Sequence, residues 1–338
     1  MFRGVVVLTY IILSGCSEST ETRVQRFLLR GNEEVQKGNG QLAIELYRAA
    51  LNLDSCFADA WNNLGSVYYR EENYEQALNS YDHALECRAG YTDAYLNRAN
   101  TYFEIKQYYR ALEDLDRVAE KKPDTTVLHF SRGLVYTQMR NFAKAVDSFL
   151  SALKKDPDNA EIMVNLGTIY YYQKSFDSAR SRLNHALTIN PREPNAYNTM
   201  ALLETALGNY DEAMRQINKG LALKKNDPYL LNNRGYIQLL KGEMDKGLTD
   251  INESIVLDPY NAWAYRNKGI YYLRKGEAQN AIQMLTQALS MDLFIERLHF
   301  YLGEAYLASG EKTKACEQFR LAVEKQEMTQ EEMRERCE

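Results

Sequence analysis

The chain has 338 residues, of which 45 % are apolar and 26 % charged, a balance that suits a folded chain and excludes a disordered one. With 41 basic against 46 acidic residues the net charge is −5, which excludes a general phosphate-backbone binder, since such proteins need a basic stripe. Tyr is abundant at 25 copies and Pro scarce at 6, as expected of a helical chain in which Pro would break hydrogen bonds.

Residues 1–15 read MFRGVVVLTYIILSG: one positive residue, Arg3, then an apolar run from Val5 to Leu13 that is too short to span a bilayer and has the shape of a secretory signal. Leu13-Ser14-Gly15-Cys16 resembles the lipobox of bacterial lipoproteins. That resemblance implies cleavage before Cys16 and lipidation of its thiol, and several acyl chains together anchor a protein stably. Ser17, in place of the Asp that retains some lipoproteins at the inner membrane, points to the outer membrane of a bacterial envelope. Residues 16–23 then read as the lipidated Cys and a polar tether; seven residues reach at most about 25 Å.

From Val24 to Thr329 the chain consists of nine 34-residue units with no insertion or deletion. Gly31, Gly65, Ala99, Gly133, Gly167, Ala201, Gly235, Gly269 and Gly303 mark one position, and Ala43, Ala77, Ala111, Ala145, Ala179, Ala213, Gly247, Ala281 and Ala315 another. Length alone suits two or three globular domains, but an unbroken repeat reads as one elongated domain whose units bury their apolar faces on one another. In the fifth unit Met163, Leu166, Gly167 and Tyr170 recur at helical spacing. Lys174–Asp177 is a polar break, Ala179, Leu183 and Ala186 mark a second helix, and Pro191 cannot continue it. Each unit is therefore predicted to be a hairpin of two antiparallel helices.

These residues resemble the tetratricopeptide repeat. The second unit carries Trp61, Leu64, Gly65, Tyr68, Ala77, Tyr81 and Ala84; the fourth carries Gly133, Tyr136, Ala145, Phe149, Ala152 and Pro157; the ninth carries Leu302, Gly303, Tyr306, Ala315, Phe319 and Ala322. The resemblance implies an all-α, right-handed superhelical solenoid. Residues 330–338 are expected to form a C-terminal capping helix. The sixth and seventh units depart most: Glu204 and Gln238 replace an aromatic, Gly220, Gly247 and Ser254 replace alanines, and Lys225 replaces Pro. They read either as drift or as a looser seam.

Besides Cys16 there are four cysteines. An even number in an exported protein permits two disulfides. Cys316 and Cys337 would face each other across the last hairpin, and Cys56 and Cys87 both fall at the open end of the second unit. The alternative is four small buried hydrophobes. His83, His129, His185 and His299 fall at repeat-related positions. His83 and Cys87, four apart, are too few for a zinc site, so neither a metal nor a cofactor is expected. No phosphate-loop, nucleophile-elbow or zincin motif occurs, so no enzyme is expected.

In proteins of this family, positions two, five, nine and twelve of the first helix line the concave groove. The seventh to ninth units place Tyr229, Tyr236, Leu239, Trp263, Arg266, Ile270, Leu273 and Arg297 on that stripe, with Arg274 beside it. Crowded aromatic and Arg side chains read either as a binding hot spot, with an Arg pair for a partner's carboxylate, or as ordinary packing. Position six repeats Asn63, Asn97, Asn165, Asn233 and Asn267, amides able to grip a peptide backbone or simply common at this position in the family. The carboxylate clamp of chaperone-binding relatives is not expected, because position five of the first four units is Leu28, Asn62, Leu96 and Phe130 and none is Lys. The expected function is a membrane-anchored scaffold that binds a protein or extended peptide in its groove and assists an envelope complex, with no nucleic acid or small-molecule substrate. A regulatory peptide-capture module is the alternative, and a cell-wall enzyme the remote one.

Overall fold

The computed structural model describes residues 18–338. The signal segment 1–15 and the lipidation candidate Cys16 lie outside the described residues. Among these residues every regular element is a helix. The described residues form two compact units, residues 18–155 and 156–338.

The first unit holds four hairpins: α1 (Thr20–Gln36) with α2 (Gly40–Leu53), α3 (Ala58–Arg70) with α4 (Tyr74–Cys87), α5 (Thr92–Glu104) with α6 (Tyr108–Lys121), and α7 (Thr126–Gln138) with α8 (Phe142–Lys155). The second holds five: α9 (Ala160–Tyr172) with α10 (Phe176–Ile189), α11 (Pro194–Ala206) with α12 (Tyr210–Leu223), α13 (Pro228–Leu240) with α14 (Met244–Leu257), α15 (Ala262–Arg274) with α16 (Ala278–Met291), and α17 (Leu298–Ala308) with α18 (Lys312–Glu324). The capping helix α19 (Gln330–Cys337) follows, and Thr329 and Glu332 close its N-terminus as a capping box. At the other end, the expected tether is shortened. The Ser19 side chain accepts from the Thr22 N–H and α1 starts at Thr20, so residues 20–23 are helix.

Inside each hairpin position eight faces position 24, and where position 24 is aromatic position eight is Gly. A Cβ on Gly65 would lie 2.6 Å from the ring of Tyr81, closer than real atoms approach. Gly31, Gly133 and Gly303 likewise make room for Tyr47, Phe149 and Phe319, whereas Ala99 and Ala201 pack with the smaller Leu115 and Ile217. All of these partners are fully buried, so losing this fit removes both transfer free energy and packing.

The turn between the two helices is also periodic. Gly38, Glu72, Lys106, Arg140, Lys174, Gly208, Gly242, Gly276 and Gly310, each 34 residues apart, all have φ between 56° and 83°. At Gly38 the amide donates to the Val35 carbonyl, and the Asn39 amide donates to the Glu34 carbonyl. This is the left-handed helix end that satisfies otherwise orphaned carbonyls.

In the seventh repeat the glycine substitutions tighten the hairpin. A Cβ on Gly235 would lie 2.8 Å from the Gly247 carbonyl oxygen, against 3.4 Å for Gly269 and its counterpart Ala281. The two glycines let the backbones of α13 and α14 approach more closely than in the eighth repeat. Glu204 is buried but satisfied, accepting from Arg180 Nη2 at 2.7 Å and Asn209 Nδ2 at 2.8 Å.

Both cysteine pairs are joined. Cys56–Cys87 ties the entry of α3 to the end of α4, and Cys316–Cys337 ties α18 to α19. Loops of 31 and 21 residues correspond to about 3–4 kcal/mol each in the chain-entropy account. With Cys87 in a disulfide, the His83–Cys87 pair has no thiolate to offer a metal. His83 instead stacks on Trp61 at 4.6 Å and contacts Glu86. Among the described residues no group of three or more His, Cys, Asp and Glu side chains could hold a metal ion.

Candidate functional site

The stripe expected to line the groove is split by the structure. Leu239 and Ile270 are 0 % and 2 % exposed, so they are core residues and do not face a partner. Leu273 and Trp263 are half-buried and pack against the core formed by α15–α17. Arg274 is not half of an Arg pair: its Nη1 donates to the Leu239 carbonyl at the C-terminal end of α13, where a cation also complements the helix dipole. Tyr229 remains 51 % exposed, directly after an N-cap in which Asp227 accepts from the Tyr229 and Leu230 amides at 2.9 and 3.0 Å.

What the structure brings together is a cage around Arg266. This side chain is only 5 % exposed. Its guanidinium carbon lies 5.0 Å from the ring centre of Tyr236, 5.1 Å from Tyr301 and 5.5 Å from Trp263. These are cation–π distances, strengthened where water is excluded. Arg297 precedes α17 in a left-handed conformation, φ 59°, so α17 begins after it and its guanidinium rests over Phe300 at 4.3 Å and Tyr301 at 5.6 Å. Burial pushes the Tyr301 phenol upward, as does Tyr236, while Arg266 and Arg297 pull it down. Tyr171, from α9, titrates under the same influences: burial raises it most, Glu296 and Tyr236 add to that, and Arg266 opposes it. Tyr301 and Tyr171 are therefore neutral hydrogen-bonding groups at neutral pH.

The position-six amides are not free to grip a peptide in the way their spacing suggested, because most of them are spent between repeats. Asn97 Nδ2 donates to Asn62 Oδ1 at 3.0 Å, Asn233 Nδ2 to Asn198 Oδ1 at 2.8 Å, and Asn267 Nδ2 to Asn232 Oδ1 at 2.8 Å. In each case position six of one repeat donates to position five of the repeat before it. Asn63 Nδ2 donates instead to Asn32 Oδ1 at 2.8 Å, and Asn165 Nδ2 to the Glu161 carbonyl of its own helix at 2.9 Å. The ladder also sets the cage. Arg266 Nη1 donates to Asn267 Oδ1 at 2.8 Å, Asn267 passes a bond to Asn232, Asn232 to Asn233, and Asn233 to Asn198. This polar chain runs from the eighth repeat to the sixth and fixes Arg266 from behind.

The repeat pattern does not single out a second polar device. Arg98 holds Asp114 by two parallel bonds, Nε–Oδ2 at 2.8 Å and Nη2–Oδ1 at 2.7 Å, and Arg234 holds Asp250 in the same way at 2.6 and 2.7 Å. Both pairs join positions seven and 23 of their repeats, where the second repeat has Leu64 and Ser80. Their signal is Arg and Asp sixteen residues apart, at positions otherwise held mostly by apolar or uncharged residues.

Family profiles described as tetratricopeptide repeat match residues 31–71, 56–121, 136–203, 171–232 and 266–327. The chain belongs to the tetratricopeptide repeat family. A search of curated proteins returns no match. Among solved structures the chain is similar to the Cut9–Hcn1 hetero-tetramer of the APC/C, at 16 % identity and TM-score 0.56 over 95 % of this chain and 76 % of that one. It is similar to pilF of Pseudomonas aeruginosa, at 19 % identity and TM-score 0.56 over 67 % of this chain and 100 % of that one. It is also similar to human IFIT1 in complex with m7Gppp-AAAA, at 19 % identity and TM-score 0.58 over 79 % of this chain and 68 % of that one. At these identities the likeness is one of fold. Tetratricopeptide repeat proteins are protein-interaction scaffolds that bind proteins or peptides.

Proposed function

We propose that this tetratricopeptide repeat protein is a membrane-anchored scaffold that seats a protein partner on the aromatic face of its second unit and assists assembly of a bacterial envelope complex. The observation that carries the binding surface is Arg266: a buried cation walled by Tyr236, Trp263 and Tyr301, with no ion pair to any described residue. Aromatic and Arg side chains gathered at a partly desolvated spot are the usual makings of an interface hot spot. Tyr229 adds an exposed ring on the neighbouring repeat. Among the described residues no helix is long and apolar enough to cross a membrane. Anchorage is assigned to lipid on Cys16, on the strength of the Leu13–Cys16 motif.

Two measurements test this reading. A photo-crosslinking residue at Tyr229, activated in intact cells, is expected to trap a discrete protein partner, identified by mass spectrometry. If no protein adduct forms there or at Tyr236, the scaffold surface lies elsewhere. Cys16→Ser is expected to move the protein from the membrane fraction to the soluble one. Retention of the mutant in the membrane would remove the lipid anchor from the proposal. A regulatory peptide-capture module is the second reading, favoured by the single buried cation; it would give adducts with short free peptides in place of a large protein.

A further inference from the structure

Three buried or half-buried arginines of this chain can be compared directly. Arg98 and Arg234 each use the Nε–Nη2 edge of the guanidinium to hold an Asp by two parallel bonds. That edge is the geometry that matches a carboxylate. Arg266 is more buried than either side chain, and its Nη1 is occupied by Asn267 Oδ1. Its Nε is buried without a hydrogen-bond partner, no bond is made by Nη2, and no Asp or Glu among the described residues pairs with it. An unsatisfied buried donor on a charged group is costly, on the order of a few kcal/mol, and native proteins seldom retain one without a use.

We propose that the unpaired Nε–Nη2 edge of Arg266 is a receptor for one carboxylate of the protein partner, and this rests on the scaffold reading above. The incoming carboxylate does for Arg266 what Asp114 does for Arg98. The seat is matched to a single negative charge, because its unpaired edge belongs to one guanidinium, walled by two phenols and an indole. Nε is covered by protein atoms in the unbound chain, so binding displaces part of the aromatic wall. The polar chain Asn267–Asn232–Asn233–Asn198 keeps the guanidinium in place while this happens. The seat also differs from a clamp built on several basic residues. Ile270, at position nine of the same helix, is buried, and Arg274 is committed to the Leu239 carbonyl.

The test uses the full chain and four small probes at constant ionic strength: N-acetyl-phenylalanine for a chain-end carboxylate, N-acetyl-glutamate α-amide for a side-chain carboxylate, N-acetyl-phenylalanine amide as the neutral control, and methyl phosphate as the phosphate ester. Binding is read from the Arg266 Nε–H NMR resonance and from the fluorescence of Trp263 in a Trp61→Phe background, the chain having only two tryptophans. At least one carboxylate probe is expected to give a saturable shift in both signals, and the one that binds more tightly tells which kind of carboxylate the partner supplies. The neutral amide is expected to give none. Arg266→Lys, which keeps the charge and loses the fork, is expected to weaken the carboxylate probe at least tenfold. No saturable shift with either carboxylate, an equal shift with the amide, or tighter binding of methyl phosphate would each overturn the inference, and all three are read from the Arg266 Nε–H resonance of the wild-type chain, independently of how any variant folds. If the crosslinked partner of Tyr229 is captured equally by wild type and Arg266→Lys, the carboxylate seat fails while the scaffold stands. If no partner is captured at all, the scaffold reading itself fails.

Discussion

Arg98 and Arg266 show how far a residue's role depends on what packs against it. Both are Arg on the first helix of a hairpin, two positions apart in the repeat. One is neutralised by Asp114 and Asp82, and the other is left with aromatic rings. Burial pushes the Asp114 carboxyl up, and the Arg98 guanidinium pulls it back down, so the pair holds only while both members are present. Asp114→Ala is therefore expected to lower unfolding free energy by about 2 kcal/mol, because Arg98 loses its bidentate partner and keeps only the more exposed Asp82. The double variant Arg98→Leu with Asp114→Ser, which copies Leu64 and Ser80 of the second repeat, is expected to be about neutral in chemical denaturation. A double variant as damaged as the single one would show that the pair itself, rather than the unpaired charge, carries the stability. The stripe rule misplaced Leu239 and Ile270 for a related reason: helical spacing gives the face, but the adjacent repeat decides whether that face is covered.

At the scale of the element, the hairpin is built on one left-handed residue repeated nine times. Five of these are Gly and were legible as such at a spacing of 34. The others, Glu72, Lys106, Arg140 and Lys174, hide the rule, because their side chains are ones that disfavour positive φ. Relieving this strain while accepting the greater freedom of Gly in the unfolded chain leaves a net gain. Lys174→Gly is expected to stabilise by about 0.5–1 kcal/mol, seen as a higher denaturation midpoint with an unchanged slope. A destabilised variant would mean that the Lys side chain contributes more than its backbone costs. The sixth and seventh repeats teach the opposite lesson about Gly. Gly235 and Gly247 read as erosion of the pattern, and together they instead allow the close approach of α13 to α14.

For the whole molecule, the abundance of Tyr becomes a statement about pH. Burial pushes Tyr69 and Tyr81 in the first unit up to about 12, and raises Tyr91 there and Tyr171 in the second unit as well. An unfolded Tyr ionises near about 10. Below that pH both states keep the phenolic proton and these groups do not alter stability. Above it the unfolded chain loses protons that the folded chain retains, so stability falls. Thermal melts are expected to be flat from pH 7 to 9 in respect of these groups and to drop between pH 10 and 12, with Tyr81 alone accounting for about 2 kcal/mol at the upper end. Tyr81→Phe is expected to blunt the drop; an unchanged alkaline limb would place the sensitivity elsewhere.

The amino-acid sequence by itself determined the repeat, the all-helical hairpins and their register, because each of these is a local pattern of apolar and small residues that only one periodicity satisfies. It also placed the cysteines so that local pairing was geometrically natural. Tertiary structure alone decided the commitment of the Asn ladder to neighbouring repeats and left Arg266 without an ion pair to any described residue. These depend on contacts between side chains 31 to 35 residues apart, and on which acceptor happens to stand opposite each donor. A repeat pattern repeats the positions but not the partners, and in this chain the partners set the function.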